Sequence, residues 1–434
     1  MTQRTVRPAP REPGADGPSR PGLGTALSSL RGNRAFQLLW VSNLFFFGGV
    51  WTQTLVLGWL AYELTHSEFL VAVYTAARLA PLLLGPFAGV LADAIDRLRL
   101  LLLACGWASL AVAIVAMLAS TGRLSYGVLV AGGLAIGLAQ SPSQPARAAL
   151  VLELVGRSNL SNANALNSIA MNMTQVIGPA LGGGMIALLG APAALWISTL
   201  WYLASFALLL PLRRLRAPQP SPHRGVSVLR MVTSGITSIA ANRLALAVLL
   251  VTLAANTLLW PIFQSFMPVF AGAELGLDAA GLGALLTCAG AGGLLGSLLI
   301  AGLGDFRAKG AVFVLGTLAW AMSWVAFALA GTVTAAFLLM GLIGLFSAAF
   351  GVLQTTLLLM TTEPEVHGRA LGVQELAIGI MPLAALVLGQ VAEHVGVGWT
   401  TVGAGLVMVA VLIALMVRVP ALLRFDGITA DGPA

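Results

Sequence analysis

The chain has 434 residues, of which 58% are hydrophobic and only 9% are charged. Soluble globular proteins carry about 25% charged residues, so this composition excludes a protein that folds in water alone. The formal charge of +7 would suit a nucleic-acid-binding protein, but no basic cluster is interleaved with aromatic residues, which excludes that partner. Cys105 and Cys288 both lie in apolar stretches, which excludes a disulfide framework and a cysteine metal site.

The predicted elements begin with residues 1–34, which are rich in Pro, Gly and Arg and contain no apolar stretch. We interpret them as a disordered cytoplasmic tail and not as a signal peptide. Apolar stretches of about 20 residues, the length that crosses a bilayer, then recur between turn signals. They predict twelve transmembrane helices, at 36–62, 69–91, 98–120, 124–148, 160–188, 192–212, 243–271, 279–303, 310–330, 333–360, 368–391 and 398–419.

The basic residues predict the orientation of these helices. If the N-terminus is cytoplasmic, all of the 23 Lys and Arg except Arg78 and Arg123 fall in or next to cytoplasmic segments. The positive-inside rule then places both termini in the cytoplasm. The Arg-rich segment 213–242 is interpreted as a cytoplasmic linker and is a candidate contact for anionic lipid headgroups. The predicted six-helix bundles on either side of this linker are 35–212 and 243–419, and a second cytoplasmic tail is 420–434.

Two separate loop motifs repeat at one offset of 212 positions. The matched pairs are Asp93 and Asp305, Arg97 and Lys309, Glu153 and Glu365, and Arg157 and Arg369. Chance is a reasonable explanation for either motif alone, but the shared offset indicates a duplication. Because six helices return the chain to the side on which it started, the two halves are predicted to be parallel and related by an axis along the membrane normal.

The loop between the second and third predicted helices resembles the signature of the major facilitator superfamily, which runs Gly, three residues, Asp and then a basic cluster. The matching residues are Gly89, Asp93, Arg97 and Arg99. Ala94 and Asp96 depart from the basic residue and the Gly that are common there. This variant, together with the stretches 142–150 and 164–183, resembles the drug and siderophore exporter branch, which includes enterobactin exporters and macrolide efflux proteins.

The resemblance implies a secondary transporter of the bacterial inner membrane that works as a monomer surrounded by lipid. It implies alternating access between two parallel bundles, a small-molecule substrate, no cofactor, and an ion gradient, here protons, as the driving force. It also implies a cytoplasmic gate, in which Asp93 and Asp305 cap the N-termini of facing helices. The predicted gate residues are Gly89, Asp93, Asp96, Arg97, Arg99, Arg147, Glu153, Asp305, Lys309, Glu365 and Arg369. Ordinary anchoring of charges at solvated helix ends is the alternative.

A glycine and proline motif lies in the fifth predicted helix, at Gly178, Pro179, Gly182 and Gly183. Pro179 removes a backbone donor and the glycines leave a surface without side chains, which predicts a kink and close packing against a facing helix. In the family, this motif is associated with export rather than uptake.

Three ionisable residues are candidates for coupling or substrate contact. Arg78 and Glu375 lie inside predicted helices, where a charge is costly unless it faces a cavity or a partner. Glu63 lies at the outer rim. A proton-coupled exporter needs a carboxylate that is protonated at one stage of the cycle, and Glu375 is the best embedded acid. The alternatives are a structural partner for Arg78 and a place in the cytoplasmic gate for Glu375.

Polar side chains in the predicted helices are candidates for the lining of a central cavity, namely Asn43, Gln53, Gln140, Asn172, Gln175 and Gln264. Hydrogen bonds between helices are the alternative role for several of them. Aromatic residues such as Trp51, Trp260 and Phe263 lie in the same helices and favour a bulky amphipathic solute over a sugar, unless they face lipid.

The predicted function is therefore proton-coupled efflux of an amphipathic drug-like or siderophore-like solute. Uptake of a nutrient or metabolite, and a receptor or scaffold that transports nothing, are the alternatives on the same fold. An enzyme is excluded, because the four histidines have no metal-ligand spacing and the chain has no nucleotide-binding loop.

Overall fold

The computed structural model describes residues 33–84, 95–156, 159–215, 235–237, 239–303, 306–363 and 366–426. These residues form helices and turns, and none of them forms a β-strand. Nine helical segments within the described ranges are long and apolar enough to cross a membrane. The prediction of an all-α membrane protein is confirmed, whereas the number of twelve membrane-crossing helices stays a prediction.

The α-helices follow the predicted intervals in chain order. They are α1 (Arg34–Thr65), α2 (Glu68–Leu79), α3 (Arg97–Ser120), α4 (Tyr126–Gln140), α5 (Ser143–Val155), α6 (Leu160–Leu189), α7 (Ala191–Leu209), α8 (Arg243–Leu258), α9 (Ala279–Gly302), α10 (Lys309–Ala328), α11 (Val333–Met360), α12 (His367–Gly379), α13 (Met381–Val395) and α14 (Val397–Arg418). Short α-helical turns also lie at Leu212–Leu215, at Met267–Val269 and within 235–241.

Short polar side chains determine where several helices begin. Asn33, Ser67 and Asp96 each accept a hydrogen bond from a backbone N–H in the first turn of α1, α2 and α3. Asp278 does the same for α9. These caps satisfy donors that a helix N-terminus leaves without an intrahelical partner. At the other end of α1, His66 adopts the left-handed conformation, with φ 47°, and the chain turns directly into α2.

Three predicted helices are interrupted near a proline. The interval 124–148 is divided between α4 and α5 at Pro142, and 368–391 is divided between α12 and α13 just before Pro382. Around Pro81, α2 passes into a 3-10 turn at Ala80–Leu84, and the rest of the interval 69–91 lies outside the described residues. Proline causes these changes because it has no N–H and its ring clashes with the preceding turn.

The interval 243–271 also departs from a continuous α-helix. After α8 the chain forms two π-helical turns, Ile262–Phe266 and Phe270–Glu274, beside Pro261 and Pro268. A π-turn changes the direction of the side chains that follow it and is frequent at functional sites. The apolar pattern of the sequence does not distinguish these turns from an α-helix.

Consecutive membrane-length helices run in opposite directions, so that their ends gather at two ends of the molecule. We call the end at which α1, α3 and α10 begin the proximal end, and the end at which α1 ends and α2 begins the distal end. At the proximal end, Asn33 Nδ2 donates to the Leu154 carbonyl at 2.9 Å. At the distal end, Trp196 Nε1 donates to Ser120 Oγ at 3.2 Å.

The two halves of the chain, 33–215 and 235–426, pack on each other through two main helix pairs. In one pair α6 lies against α9, and in the other α2 lies against α13. These two contacts position the residues that the sequence identifies as functional candidates.

Candidate transport path

The glycine and proline motif of α6 lies where the two halves meet. A Cβ atom built on Gly183 would be 2.6 Å from the Ala279 carbonyl oxygen and 2.8 Å from the Gly283 Cα of α9. A Cβ atom on Gly283 would be 2.7 Å from the Pro179 carbonyl oxygen. Only glycine permits two helix backbones to approach this closely. The motif thus forms a backbone contact between the halves, while its association with export stays a prediction.

The same stretch of α6 also packs on α1. A Cβ atom on Gly178 would be 2.6 Å from the Trp51 Cβ, and one on Gly182 would be 3.2 Å from the Thr52 carbonyl oxygen. Thr52 Oγ1 donates to the Gly178 carbonyl at 3.1 Å. A movement of α6 relative to α9 must therefore be shared by α1.

Pro179 leaves the Gln175 carbonyl without its usual helical donor. This carbonyl faces α9, where a Cβ atom built on Gly290 would be 2.6 Å from its oxygen. Next to it, Thr287 Oγ1 donates to the Val176 carbonyl at 3.4 Å. Polar backbone groups of α6 thus lie at the contact with α9.

Toward the proximal end, the same face of α6 is polar and accessible. Positions 164, 168 and 172 precede Gln175 and Pro179 at helical spacing and so continue the face that contacts α9. Asn164 and Ser168 are exposed, and Asn172 is half-buried. The backbone contact with α9 therefore belongs to the distal part of α6, and the proximal part of this face is open.

A mostly apolar cavity of about 40 Å³ lies beside the contact between α6 and α9. Its wall includes Gln175, Trp51, Trp260, Phe263 and Trp320. The ring centroids of Trp260 lie 5.7 Å from those of Trp320 and 5.9 Å from those of Phe263, and Trp51 lies 6.5 Å from Phe263. These distances and the steep interplanar angles are those of favourable edge-to-face aromatic contacts. Among the predicted cavity residues, Gln175 lies in this wall.

Arg78 of α2 connects the two halves. Its guanidinium is buried and donates to Thr54 Oγ1 at 3.1 Å and to Gln264 Oε1 at 3.2 Å. Thr75 Oγ1 donates to the Gln264 backbone carbonyl at 3.4 Å, within the first π-helical turn. Gln264 thus holds α2 through both its side chain and its backbone. This contact provides Arg78 with a structural partner, and a role in coupling stays a prediction.

Gln53 and Gln140 belong to a hydrogen-bond network inside the first half. Tyr202 Oη donates to Gln53 Oε1 at 2.9 Å, and Gln140 Nε2 donates to Tyr202 Oη at 2.9 Å. Gln53 and Tyr202 are completely buried. This network joins α1, α4 and α7. Gln53 and Gln140 therefore make hydrogen bonds between helices, which is the alternative role named for the predicted cavity residues.

Arg147 of α5 lies in the interior of the first half. Its guanidinium donates to Asn43 Oδ1, to Ser42 Oγ and to Ser205 Oγ, and it lies 4.2 Å above the centre of the Phe46 ring. Asn43 Nδ2 in turn donates to Asn167 Oδ1 at 3.0 Å. Within the described ranges, Arg147 makes no ion pair. This interior position differs from the position predicted for Arg147 in the cytoplasmic gate, and its role as a gate residue stays a prediction.

The structure brings together one pair of predicted gate residues. Arg97 Nη1 lies 3.4 Å from Glu153 Oε2 and joins the start of α3 to α5 at the proximal end. Asp96 accepts a hydrogen bond from the Arg99 N–H at 2.9 Å and so caps α3. The Arg99 and Arg369 side chains are exposed. The predicted gate residues Gly89, Asp93, Asp305 and Glu365 lie outside the described residues.

Lys309 contacts the C-terminal segment. Its Nζ donates to the Phe306 carbonyl at 2.9 Å and to the Asp426 carbonyl at 3.4 Å. Asp426 Oδ1 accepts from the Ala308 N–H at 2.9 Å. The first residues of the segment 420–434, predicted as a cytoplasmic tail, therefore pack against the start of α10.

Glu375 of α12 lies near the contact with the 3-10 turn Ala80–Leu84 of the first half. Its side chain is exposed, and it has no hydrogen-bond or ion-pair partner among the described residues. One turn later, a Cβ atom built on Gly379 would be 2.8 Å from the Leu82 carbonyl oxygen. Glu375 therefore lies on the face of α12 that contacts the 3-10 turn Ala80–Leu84, one turn from this contact toward the start of α12. Glu63 is exposed at the distal end of α1.

Glu393 is a contact between the halves that sequence reasoning missed. Its Oε2 accepts from Ser67 Oγ at 2.9 Å and from the Phe69 N–H at 3.0 Å. A carboxylate from α13 thus caps the positive N-terminus of α2 at the distal end. The sequence gives no direct signal for this pair, because 324 positions separate Phe69 from Glu393.

We expect Glu393→Ala to loosen the distal contact, because the first turn of α2 loses an acceptor from the other half. A cap of this kind contributes about 1 kcal/mol, so hydrogen exchange of the first-turn amides of α2 should become about fivefold faster. Gln390→Ala, an exposed position one turn earlier on α13, is the matched control and should leave this exchange unchanged. Equal exchange in Glu393→Ala and the control would contradict the role of the cap.

Comparisons with known proteins agree with this geometry. The sequence model of the transmembrane secretion effector family matches residues 24–431, nearly the whole chain. The chain belongs to this family. The resemblance to the drug and siderophore exporter branch of the major facilitator superfamily is thereby confirmed.

Two relatives of this secretion effector are themselves exporters by name. The enterobactin exporter EntS of Salmonella choleraesuis is 28% identical over 365 residues, which cover 81% of this chain and 85% of EntS. The multidrug efflux pump Tap of Mycolicibacterium fortuitum is 25% identical over 378 residues, which cover 85% of this chain and 91% of Tap.

The fold is shared with a solved transporter structure. A crystal structure of a POT family transporter in complex with a thioalcohol-conjugated peptide superimposes with a TM-score of 0.75. The match covers 90% of this chain and 96% of that chain, at 11% sequence identity. The superposition shows a major facilitator-like fold. The family match and the named relatives show that the chain is a multi-pass membrane transporter of small molecules and not an enzyme.

Proposed function

We propose that this secretion effector exports an amphipathic siderophore-like or drug-like solute across the bacterial inner membrane by alternating access. The observation that carries the proposal is the arrangement of α6. Its distal part is in backbone contact with α9, whereas Asn164 and Ser168 on its proximal part are exposed. Contact at one end and access at the other is what one state of an alternating-access transporter requires.

The proximal end corresponds to the cytoplasm in this proposal. Arg97, Arg99 and Lys309 lie there, and basic residues favour the cytoplasmic side of a membrane protein. The open end then receives solute from inside the cell, as export requires. Both termini are cytoplasmic in this topology.

The proposed architecture is twelve helices in two parallel six-helix halves. It is supported by the repeat, because α3 begins at Arg97 and α10 begins at Lys309, the two residues that the offset of 212 positions matches. Lipid would cover exposed apolar side chains at the periphery, such as Leu188, Leu338 and Val417. The protein would work as a monomer, with the path between its own halves.

The solute class is supported by two observations. The relatives are named for exporting enterobactin and for multidrug efflux. The cavity wall at the contact between the halves contains Trp51, Trp260 and Phe263, and such surfaces bind bulky apolar groups. An amphipathic solute agrees with the names of the relatives and with the aromatic wall of the cavity.

Accumulation measurements in cells test the direction of transport. We expect cells that produce the protein to accumulate less ethidium, or to retain less enterobactin, than cells without it, and a protonophore to abolish the difference. Higher accumulation in producing cells would favour uptake. Equal accumulation of every solute tested would favour a protein that transports nothing.

Proton coupling is proposed through Glu375. Its carboxylate lies on the face of α12 next to the contact with the 3-10 turn Ala80–Leu84 of the first half, where opening and closing of the halves would change its surroundings. A carboxylate in such a position can bind a proton in one state and release it in the other.

We expect Glu375→Gln to abolish efflux driven by a pH gradient in liposomes, because the amide cannot exchange a proton. Exchange of labelled solute without a gradient should persist. Glu363→Gln, at an exposed loop position near the proximal end, is the matched control and should retain gradient-driven efflux. Unchanged pH-driven efflux in Glu375→Gln would remove this residue from the coupling mechanism.

A further inference from the structure

Two tryptophans of α10 form part of the cavity wall. Trp320 and Trp324 are four residues apart and therefore lie on the same face of the helix, one turn from each other. Both residues line the cavity. Their exposed fractions are 1% and 0%, so both side chains are completely enclosed.

Neither indole N–H has a hydrogen-bond partner among the described residues. An indole nitrogen acts only as a donor, so it requires an oxygen or another acceptor. Buried Trp residues usually find such a partner, because a buried donor without one destabilises the protein. Two donors without acceptors in a single cavity wall are therefore the feature of this cavity that needs an explanation.

The other residues of the wall do not provide the acceptor. Ser347 Oγ donates to the Gly344 carbonyl at 2.7 Å, within its own helix α11. None of the wall residues is Asp, Glu, Lys, Arg or His. The wall thus combines the two indole donors and aromatic surface with the uncharged polar side chains of Gln175 and Ser347, which suits a neutral group that carries an acceptor.

The cavity lies between the two halves of the chain. Trp51, Gln175 and Pro179 belong to the first half of the chain, and they line the cavity together with residues of the second half. Its volume of about 40 Å³ is close to that of one or two water molecules. In this conformation it can receive the oxygen-bearing edge of a larger solute.

We propose that this cavity is a binding subsite for the acceptor-bearing edge of a neutral planar aromatic group. A carbonyl oxygen of that group accepts hydrogen bonds from the indole N–H groups of Trp320 and Trp324, and its ring packs against Trp260 and Phe263. The subsite deepens the proposed export function by specifying the part of the solute that is recognised. Binding itself needs no ion gradient, so it can be measured separately from transport.

Photolabelling with benzophenone tests the subsite in the purified full-length protein. Benzophenone is neutral and aromatic, carries one carbonyl, and attaches to nearby C–H bonds on irradiation. We expect peptides of α9 and α11 that line the cavity to be labelled. 9-Fluorenone should suppress this labelling at about tenfold lower concentration than fluorene, which has the same rings but no carbonyl oxygen. Equal suppression by fluorenone and fluorene would overturn the proposal without any substitution in the protein.

Substitutions of the two donors provide the second arm of the test. Trp320→Phe and Trp324→Phe each remove one N–H and keep an aromatic ring, and each should weaken protection by fluorenone about threefold to tenfold. Trp399→Phe is the matched control, because that side chain is 69% exposed at the surface. Unchanged protection in both single variants would overturn the proposal.

The result separates this inference from the proposed function. If the protein exports solutes but fluorenone has no advantage over fluorene, only the subsite is wrong. If the fluorenone advantage and its loss in the variants are observed in a protein that exports nothing, only the export function is wrong.

Discussion

Gly183→Val is expected to abolish export while leaving a folded protein in the membrane. The atoms nearest a Cβ at Gly183 are backbone atoms of Ala279 and Gly283, so no side-chain rotation relieves the clash. Overpacking of this kind costs about 2–3 kcal/mol. The cost falls on the state in which α6 and α9 are in contact, and it should shift the population away from this state by a factor of about 30 to 150.

Thiol labelling measures this shift directly. A cysteine introduced at Thr75, which is buried between the halves, should react slowly with an impermeant reagent in the otherwise unchanged protein and rapidly in Gly183→Val. Gly184→Val is the matched control, because a Cβ atom at the next position meets nothing within 4 Å. Slow labelling and normal export in Gly183→Val would show that transport does not need this contact.

The positions of the helices were predictable from the sequence because apolar length and capping residues are local properties. The predicted starts at 36, 69 and 279 lie within two residues of the observed starts of α1, α2 and α9, which Asn33, Ser67 and Asp278 cap. The interruptions at Pro142 and Ile380 were missed because hydropathy does not change across them. The π-turns after α8 likewise depend on how Gln264 and its neighbours pack, which no local pattern encodes.

The partners of the candidate residues were less predictable. Arg97 and Glu153 were both predicted in the cytoplasmic gate, and the structure places Arg97 Nη1 3.4 Å from Glu153 Oε2. By contrast, Trp320 and Trp324 have a spacing that suits a lipid-facing stripe equally well, and only the structure places them in a cavity. The family motif predicted a functional loop, but the three-dimensional packing determines which side chains meet.

Arg147→Lys is expected to destabilise the protein more than Arg147→Met, although lysine is the more conservative substitution. The guanidinium is buried without an ion-pair partner in the described ranges, and it divides its donors among Asn43, Ser42 and Ser205. Lysine keeps the buried charge but has fewer donors and a more strongly hydrated head. An incompletely paired buried charge should cost about 3 kcal/mol or more.

Methionine removes the charge and fills a similar volume. The hydroxyls of Ser42 and Ser205 already bond to each other at 2.8 Å. The main loss is therefore the hydrogen bond from the guanidinium to Asn43 Oδ1, which costs about 1–2 kcal/mol. The midpoint of thermal unfolding in detergent should therefore fall in the order wild type, Arg147→Met, Arg147→Lys. The same two substitutions at Arg123, which is exposed, should change the midpoint little. A lower midpoint for methionine than for lysine would mean that the positive charge itself stabilises this interior, and a counter-charge would then have to lie close to Arg147.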